Sequence, residues 1–165
     1  SSAAPFMPVA WITLTVAQLD TAKAAALVDA LRSAALRASP PQPDPMPEII
    51  EGVTSRIRTE IAAGGSTVLD ADATKVPPSL KSLALRMVLR EGQSRLNVGD
   101  ALPLSKDELE EWRQDVRYLE RIARGDITVE ASTNPESTPT VQAAVPSPKI
   151  CARERTMTRA AADGI

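Results

Sequence analysis

Two helical patterns of different width dominate the stretch from Val76 to Val129. In the first, apolar residues fall at Leu80, Leu83, Leu85, Met87, Val88, Leu89 and Leu96, leaving a polar stripe at Ser82, Arg86, Arg90 and Gln93. A helix apolar around most of its circumference is normally buried by several neighbours, so this one is expected at the centre of the fold. Pro77-Pro78 marks its start, because the missing proline N–H has no intrahelical partner in a first turn. The second pattern is narrower: Leu109, Trp112, Val116, Leu119 and Ile122 follow at spacings of three, four, three and three, one seam against one neighbour. Ser105 with Glu108 makes a capping box, acidic residues open this helix and Arg121 and Arg124 close it, and Gly125 is its C′ residue. The core expected from these two helices is Leu83, Met87, Leu109, Trp112, Val116, Leu119 and Ile122, with Trp112→Ala the most damaging single change.

Upstream, Ala-rich sequence from Val16 to Ala38 favours helix, with Leu19, Leu27, Leu31 and Ala35 on one face and a break at Asp20-Thr21. Thr15 with Gln18 forms a second capping box. Five prolines between Ser39 and Pro47 make a stiff connector. Asp44 then caps a helix in which Ile49, Val53, Ile57 and Ile61 repeat every four residues, until Gly64-Gly65 stops it. Ser66–Val76 and Asn97–Pro103 read as loops.

The termini differ from this body. Residues 1–11 read as an N-terminal arm and 12–129 as the helical domain. Residues 130–165 read as an extended tail whose first part, rich in Ser, Thr and Pro, has the composition of a linker. Its last part carries Lys149, Arg153, Arg155 and Arg159 around the apolar anchors Ile150 and Met157, the pattern of a docking segment ordered by a partner. Deleting Pro135–Ile165 is therefore expected to leave the helical body folded while abolishing assembly.

Composition narrows the chemistry. The chain has 165 residues and is 43% hydrophobic, enough for one core, yet Phe6, Trp11, Trp112 and Tyr118 are its only aromatics, so Ala, Leu, Ile and Val must fill that core. That suits close helix packing. The net charge of −2 gives no global attraction to nucleic acid or acidic membranes. The absence of histidine removes the commonest general base and zinc ligand. A single cysteine, Cys151, excludes an intrachain disulfide framework and leans toward a reducing compartment. No apolar run is long enough for a membrane span, and the first residues lack the basic region and apolar core of a signal peptide.

The candidate sites are weak ones. Asp70-Ala-Asp72 with Thr74 has the start of a calcium loop but lacks its central Gly and terminal Glu, so a solvated turn is the plainer reading. Glu108, Glu110, Glu111 and Asp115 are a carboxylate cluster on a capped helix, read as a solvated face; acid–base work would need a cleft that shifts their pKa values. Cys151 has no histidine to activate it. Lys81, Arg86, Arg90 and Arg95 make either a basic strip or ion pairs to Glu and Asp. No catalytic, cofactor-binding or metal-binding residue is assigned.

The stretches Val76-Pro-Pro-Ser-Leu-Lys-Ser-Leu-Ala-Leu-Arg-Met-Val-Leu-Arg90 and Tyr118-Leu-Glu-Arg-Ile-Ala-Arg-Gly-Asp-Ile-Thr-Val129 resemble the head–tail connector proteins of Mu-like phages and prophages. In that family a V-P-x-x-L helix start leads to a last helix ending in L-x-x-I-A-x-G. The layout agrees over about residues 10–130, whereas the Pro-rich connector and the long tail depart from it. The resemblance implies a virion protein made in the host bacterial cytoplasm, with no enzyme activity. It implies a homo-oligomeric ring, a dodecamer, between the portal protein and a downstream neck or tail protein, with DNA passing through without sequence readout. The expected fold is all-α, a small bundle of four or five helices with an extended C-terminal tail. The alternative function is a helical nucleic-acid-binding packaging or regulatory protein, recognisable by a free basic face and salt-sensitive binding.

Overall fold

The computed structural model describes residues 7–19, 21–96 and 104–137. The fold is all-α: among the described residues there are four α-helices and one minimal two-stranded sheet. The expected tail-docking residues Lys149, Ile150, Arg153, Arg155, Met157 and Arg159 lie outside the described residues.

Strand β1 (Ile12–Thr13) leads through a 3-10 turn to helix α1 (Ala22–Arg37). The Thr15–Gln18 capping box forms as expected, and Thr21 caps α1 by accepting the Ala24 N–H at 3.2 Å. Helix α2 (Met46–Gly64) starts where Asp44 accepts the Met46 N–H at 3.0 Å. It stops at Gly65, whose φ of 68° is open to glycine at little cost. Strand β2 (Lys75–Val76) pairs antiparallel with β1, Ile12 opposite Val76 and Thr13 opposite Lys75. A 3-10 turn (Pro78–Leu80) then runs into α3 (Lys81–Leu96), and α4 (Lys106–Ala123) opens on the Ser105–Glu108 box and closes before Gly125 at φ 81°.

The core is built from the repeats that were legible as repeats. Ile49, Val53, Ile57 and Ile61 of α2 are all buried and meet Leu27, Val28 and Leu31 of α1, Leu83, Met87 and Val88 of α3, and Leu119 and Ile122 of α4 in one cluster. α3 sits at the centre as expected and shares that place with α2: each touches the other three helices. The reason is the capacity of α2, whose every fourth residue is a β-branched Ile or Val facing inward.

The seam of α4 also divides. Leu83, Met87, Leu119 and Ile122 are core residues. Trp112 and Val116 are only half-buried, and Leu109 is exposed, which corrects its assignment to the core. The first half of α4 sets Glu108, Glu111 and Asp115 against the arginines of α3 and leaves Trp112 at the edge of the hydrophobic cluster, whose fully buried α4 members are Leu119 and Ile122 of the second half. Trp112 packs against the edge of the cluster with the Arg56 guanidinium 5.9 Å from its ring centre, and Trp11, buried at 3% exposure, is the more deeply buried of the two tryptophans.

Both domain limits move outward. Trp11, assigned to the arm, is buried at 3% exposure. Val9 exchanges backbone hydrogen bonds with the segment assigned to the tail, donating to Ala131 at 2.9 Å and accepting from Thr133 at 3.2 Å. The packed body therefore runs from Val9 to Glu136 rather than from 12 to 129. Because Pro135 bridges Asp70 and the Glu136 N–H reaches the Leu69 carbonyl at 2.7 Å, a cut that spares the body falls after Ser137, not before Pro135.

Candidate functional site

Three places carry the polar chemistry of the body. The first is the corner where its two ends meet. Arg58 of α2 is buried and reaches across to the loop before β2, donating to three backbone carbonyls: Asp70 at 2.7 Å, Lys75 at 2.9 Å and Asp72 at 3.1 Å. Its guanidinium stands 5.8 Å from the ring centre of Trp11, whose indole N–H donates to the Glu130 carbonyl at 3.1 Å. A guanidinium has five donors in a rigid fork, which suits it to collecting several carbonyls of one loop.

Asp70 ties the same loop to the C-terminal segment. Its Oδ1 accepts the Asp72 N–H at 2.8 Å and the Asn134 amide at 3.4 Å, and its Oδ2 accepts the Ser132 hydroxyl. Glu130 adds a second tie, accepting the Ser79 N–H at 2.7 Å and its hydroxyl at 2.6 Å, a carboxylate at the opening of the α3 segment where the helix dipole favours it. The calcium-loop reading of Asp70, Asp72 and Thr74 gives way here: Asp72 spends an oxygen on the Thr74 N–H at 2.9 Å and the Thr74 hydroxyl at 2.7 Å. These carboxylates are turn-formers. Among the described residues no group of three His, Cys, Asp or Glu is placed to hold a metal ion.

Burial of Asp70 opposes its ionisation, but the Ser132 hydroxyl, the Asp72 N–H, the Lys75 charge and the Asn134 amide together hold its pKa below the ordinary 3.8. Bonds from the Thr74 side chain and backbone lower Asp72 as well. A carboxyl depressed in the folded state contributes stability above its unfolded pKa and loses it as pH falls through the folded value. Urea unfolding of the wild type and of Asp70→Asn between about pH 7 and pH 3 should therefore show the wild type losing more stability below about pH 4. Parallel curves would mean that Asp70 is not the tie described.

The second place is the α3–α4 seam. Arg86 makes a bidentate pair with Asp115, 2.9 and 2.7 Å, and Asp115 is buried at 6% exposure. The bonds to Asp115 outweigh the cost of partial burial and raise the Arg86 pKa. Arg90 donates to Gln93 at 2.7 Å and Glu111 at 3.1 Å and lies 3.5 Å from Glu108, which also pairs with Lys23 of α1. Arg95 pairs with Glu48 and Glu91. The basic strip is thus largely neutralised, and Glu108, Glu111 and Asp115 are interhelical partners rather than a purely solvated face. The four-residue spacing of Arg86 and Arg90, matched by Glu111 and Asp115, is the signal in the sequence that could have paired them.

The third place is an open groove of about 800 Å³ along the outer face of α2. Ile50, Thr54, Ser55, Thr59 and Ala62 form its floor, with Leu14 and Val16 on one side and Leu69, Ala73 and Thr74 among its other walls. In the sequence Ile50 stands beside the core stripe of α2, and no local pattern shows what it faces. The groove needs β1 and the loop before β2 brought to the same helix.

The residues of the two motif-like stretches are packing residues. Val76, Pro77 and Leu80 are fully buried, Leu119, Ile122 and Val129 are buried, and Gly125 takes the left-handed turn beside Gly64. Comparison with protein-family models, curated proteins and solved structures gives no match for this chain. No helix among the described residues is long and apolar enough to cross a membrane.

Proposed function

We propose that this chain is a bacteriophage head-to-tail connector, a structural protein of the virion that forms a homo-oligomeric ring between the portal protein and a downstream neck or tail protein. Its work is mechanical and involves no chemical step. The helical body packs against ring neighbours through a heterologous interface, two different patches on each subunit, as ring closure requires. Terminal segments reach the proteins above and below, and DNA passes through the channel without sequence readout.

The observation that supports this reading best is the union of the two ends. Val9 is paired with Ala131 and Thr133 in a parallel bridge, and Glu136 is tied to Leu69, so the two ends of the body run in the same direction through one contact. The parallel sense of this contact suits partners on two sides of a ring, one above and one below the subunit, while the helical faces stay available to ring neighbours. The basic segment from Lys149 to Arg159, with Ile150 and Met157, is the lead assigned to partner docking. The resemblance of the Val76–Arg90 and Tyr118–Val129 stretches to Mu-like connectors points the same way. The rival nucleic-acid reading loses its main support on this body, because Arg86, Arg90 and Arg95 face carboxylates.

Electron microscopy of a lysate from a phage or induced prophage lacking this gene tests the proposal. Separate filled heads and free tails are expected. Intact tailed particles would overturn it, and empty unpackaged heads would replace it with a packaging role.

A further inference from the structure

We infer that the groove along α2 is a docking site for this chain's own segment Val141–Val145, which would lie over it before the basic end of the tail goes on to a partner. The inference concerns one chain alone and does not depend on the ring.

The groove is a second, separate face of α2. Positions 47, 50, 51, 54, 55, 58, 59 and 62 line it, while 49, 53, 57 and 61 enter the core. Its walls are aliphatic (Leu14, Val16, Ile50, Leu69) and hydroxylated (Thr54, Thr59). Glu51 and Arg58 are the charged residues in the lining, and Arg58 is already engaged by three carbonyls of the adjoining loop. An occupant should therefore be apolar, small and uncharged, with few backbone donors to satisfy.

The chain that leaves the body next to this groove meets that description. The Glu136 N–H is bonded to the carbonyl of Leu69, itself a groove wall, so the next residues start at the rim. Thr138–Pro148 reads Thr-Pro-Thr-Val-Gln-Ala-Ala-Val-Pro-Ser-Pro, without a charge, and its three prolines donate no N–H. Val141, Ala143 and Val145 are spaced by two, which in an extended chain puts them on one side. From Glu136 to Val141 an extended chain reaches about 16 Å, and the α2 face from Pro47 to Ala62 runs about 22 Å, so segment and groove match in scale. A tether this short gives an effective concentration in the millimolar range, which favours the chain's own segment over a neighbour's. The basic residues from Lys149 onward find a single carboxylate, Glu51, in the lining and are the poorer candidate.

The test uses the full-length chain with a nitroxide on Cys151, its sole cysteine, six residues past Val145, and reads amide signals of the 15N-labelled protein. Signals of Ser55, Thr59 and Thr74 should lose intensity selectively while those of Asp29 and Leu36 on α1 keep theirs, and Val141→Asp with Val145→Asp should abolish the selectivity. Both substitutions lie outside the packed body, so the helical signals report directly on folding. Loss spread evenly over the surface and unaffected by the two substitutions, or no loss at all, would overturn the inference. Selective loss that appears when labelled, unmodified chain is mixed with unlabelled, nitroxide-bearing chain would assign the groove to a second copy and overturn it equally.

Discussion

Trp11→Ala should destabilise the protein by about 3–5 kcal/mol, the range for truncating a large buried aromatic, read as a lower urea midpoint at unchanged slope. The ring is 3% exposed and does three things at once. It fills the space between α2 and the C-terminal segment, its face lies under the Arg58 guanidinium at 5.8 Å, and its N–H holds the Glu130 carbonyl. Removing it leaves a cavity in a core with few other rings to collapse into it and frees a carbonyl beside the backbone pairing of Val9 with Ala131 and Thr133. Domains of this size are stable by about 5–15 kcal/mol, so the loss is a large share of the total. Trp112→Ala is the control. That ring is half-buried and meets Arg56 at the surface, so the same chemical change should cost clearly less. Equal effects would mean that the two tryptophans share the load and that the end-to-end union is not central.

Gly64→Ala is the second large effect expected, and its sign is decided by magnitude. Alanine is favoured over glycine inside a helix by about 1 kcal/mol, so on propensity alone the change should stabilise α2. A Cβ at Gly64, however, would press into the Ile122 carbonyl of α4, closer than real Cβ atoms come to any backbone atom. Neither partner is a flexible side-chain end, so the helices must separate, and overpacking of this kind costs about 1–3 kcal/mol or more. Destabilisation by about 2 kcal/mol net is expected, with the Leu119 and Ile122 contacts loosened. Gly92 is the informative comparison. There a Cβ meets Leu31 Cδ1 at 3.0 Å and Leu27 Cδ2 at 3.4 Å, both side-chain ends that can turn aside. Gly92→Ala should therefore be near neutral in thermal unfolding, and a fall as large as that of Gly64→Ala would sink the distinction.

The helices were legible because their signals are local. Ile49, Val53, Ile57 and Ile61 announce an inward stripe, Ser105 and Glu108 cap each other within one turn, and Gly65 and Gly125 stop helices by a backbone conformation that needs no distant partner. Such features depend on residues three or four apart, and a sequence displays them directly. Leu109 was misread for the same reason. Its spacing fits the seam, but Arg86 and Arg90 of another helix meet the carboxylates of α4, burying Asp115 and holding Glu111 beside Arg90 at the surface. The groove was invisible because its walls come from β1, α2 and the loop before β2, and no local pattern reports their meeting.

What the sequence determined by itself is therefore the all-α class, the order and caps of the helices and most of the core. These follow from periodicity, propensity and composition, which act over a turn or two of chain. Only the tertiary structure decided that Trp11 belongs to the core, that residues 130–136 close the body through Asp70, Ser79 and Leu69, that the basic strip is met by carboxylates, and that α2 has a second face open as a groove. Each of these joins residues tens of positions apart, Trp11 to Glu130 or Asp70 to Ser132, and a contact of that kind is set by how whole elements pack rather than by the residues beside it in the chain.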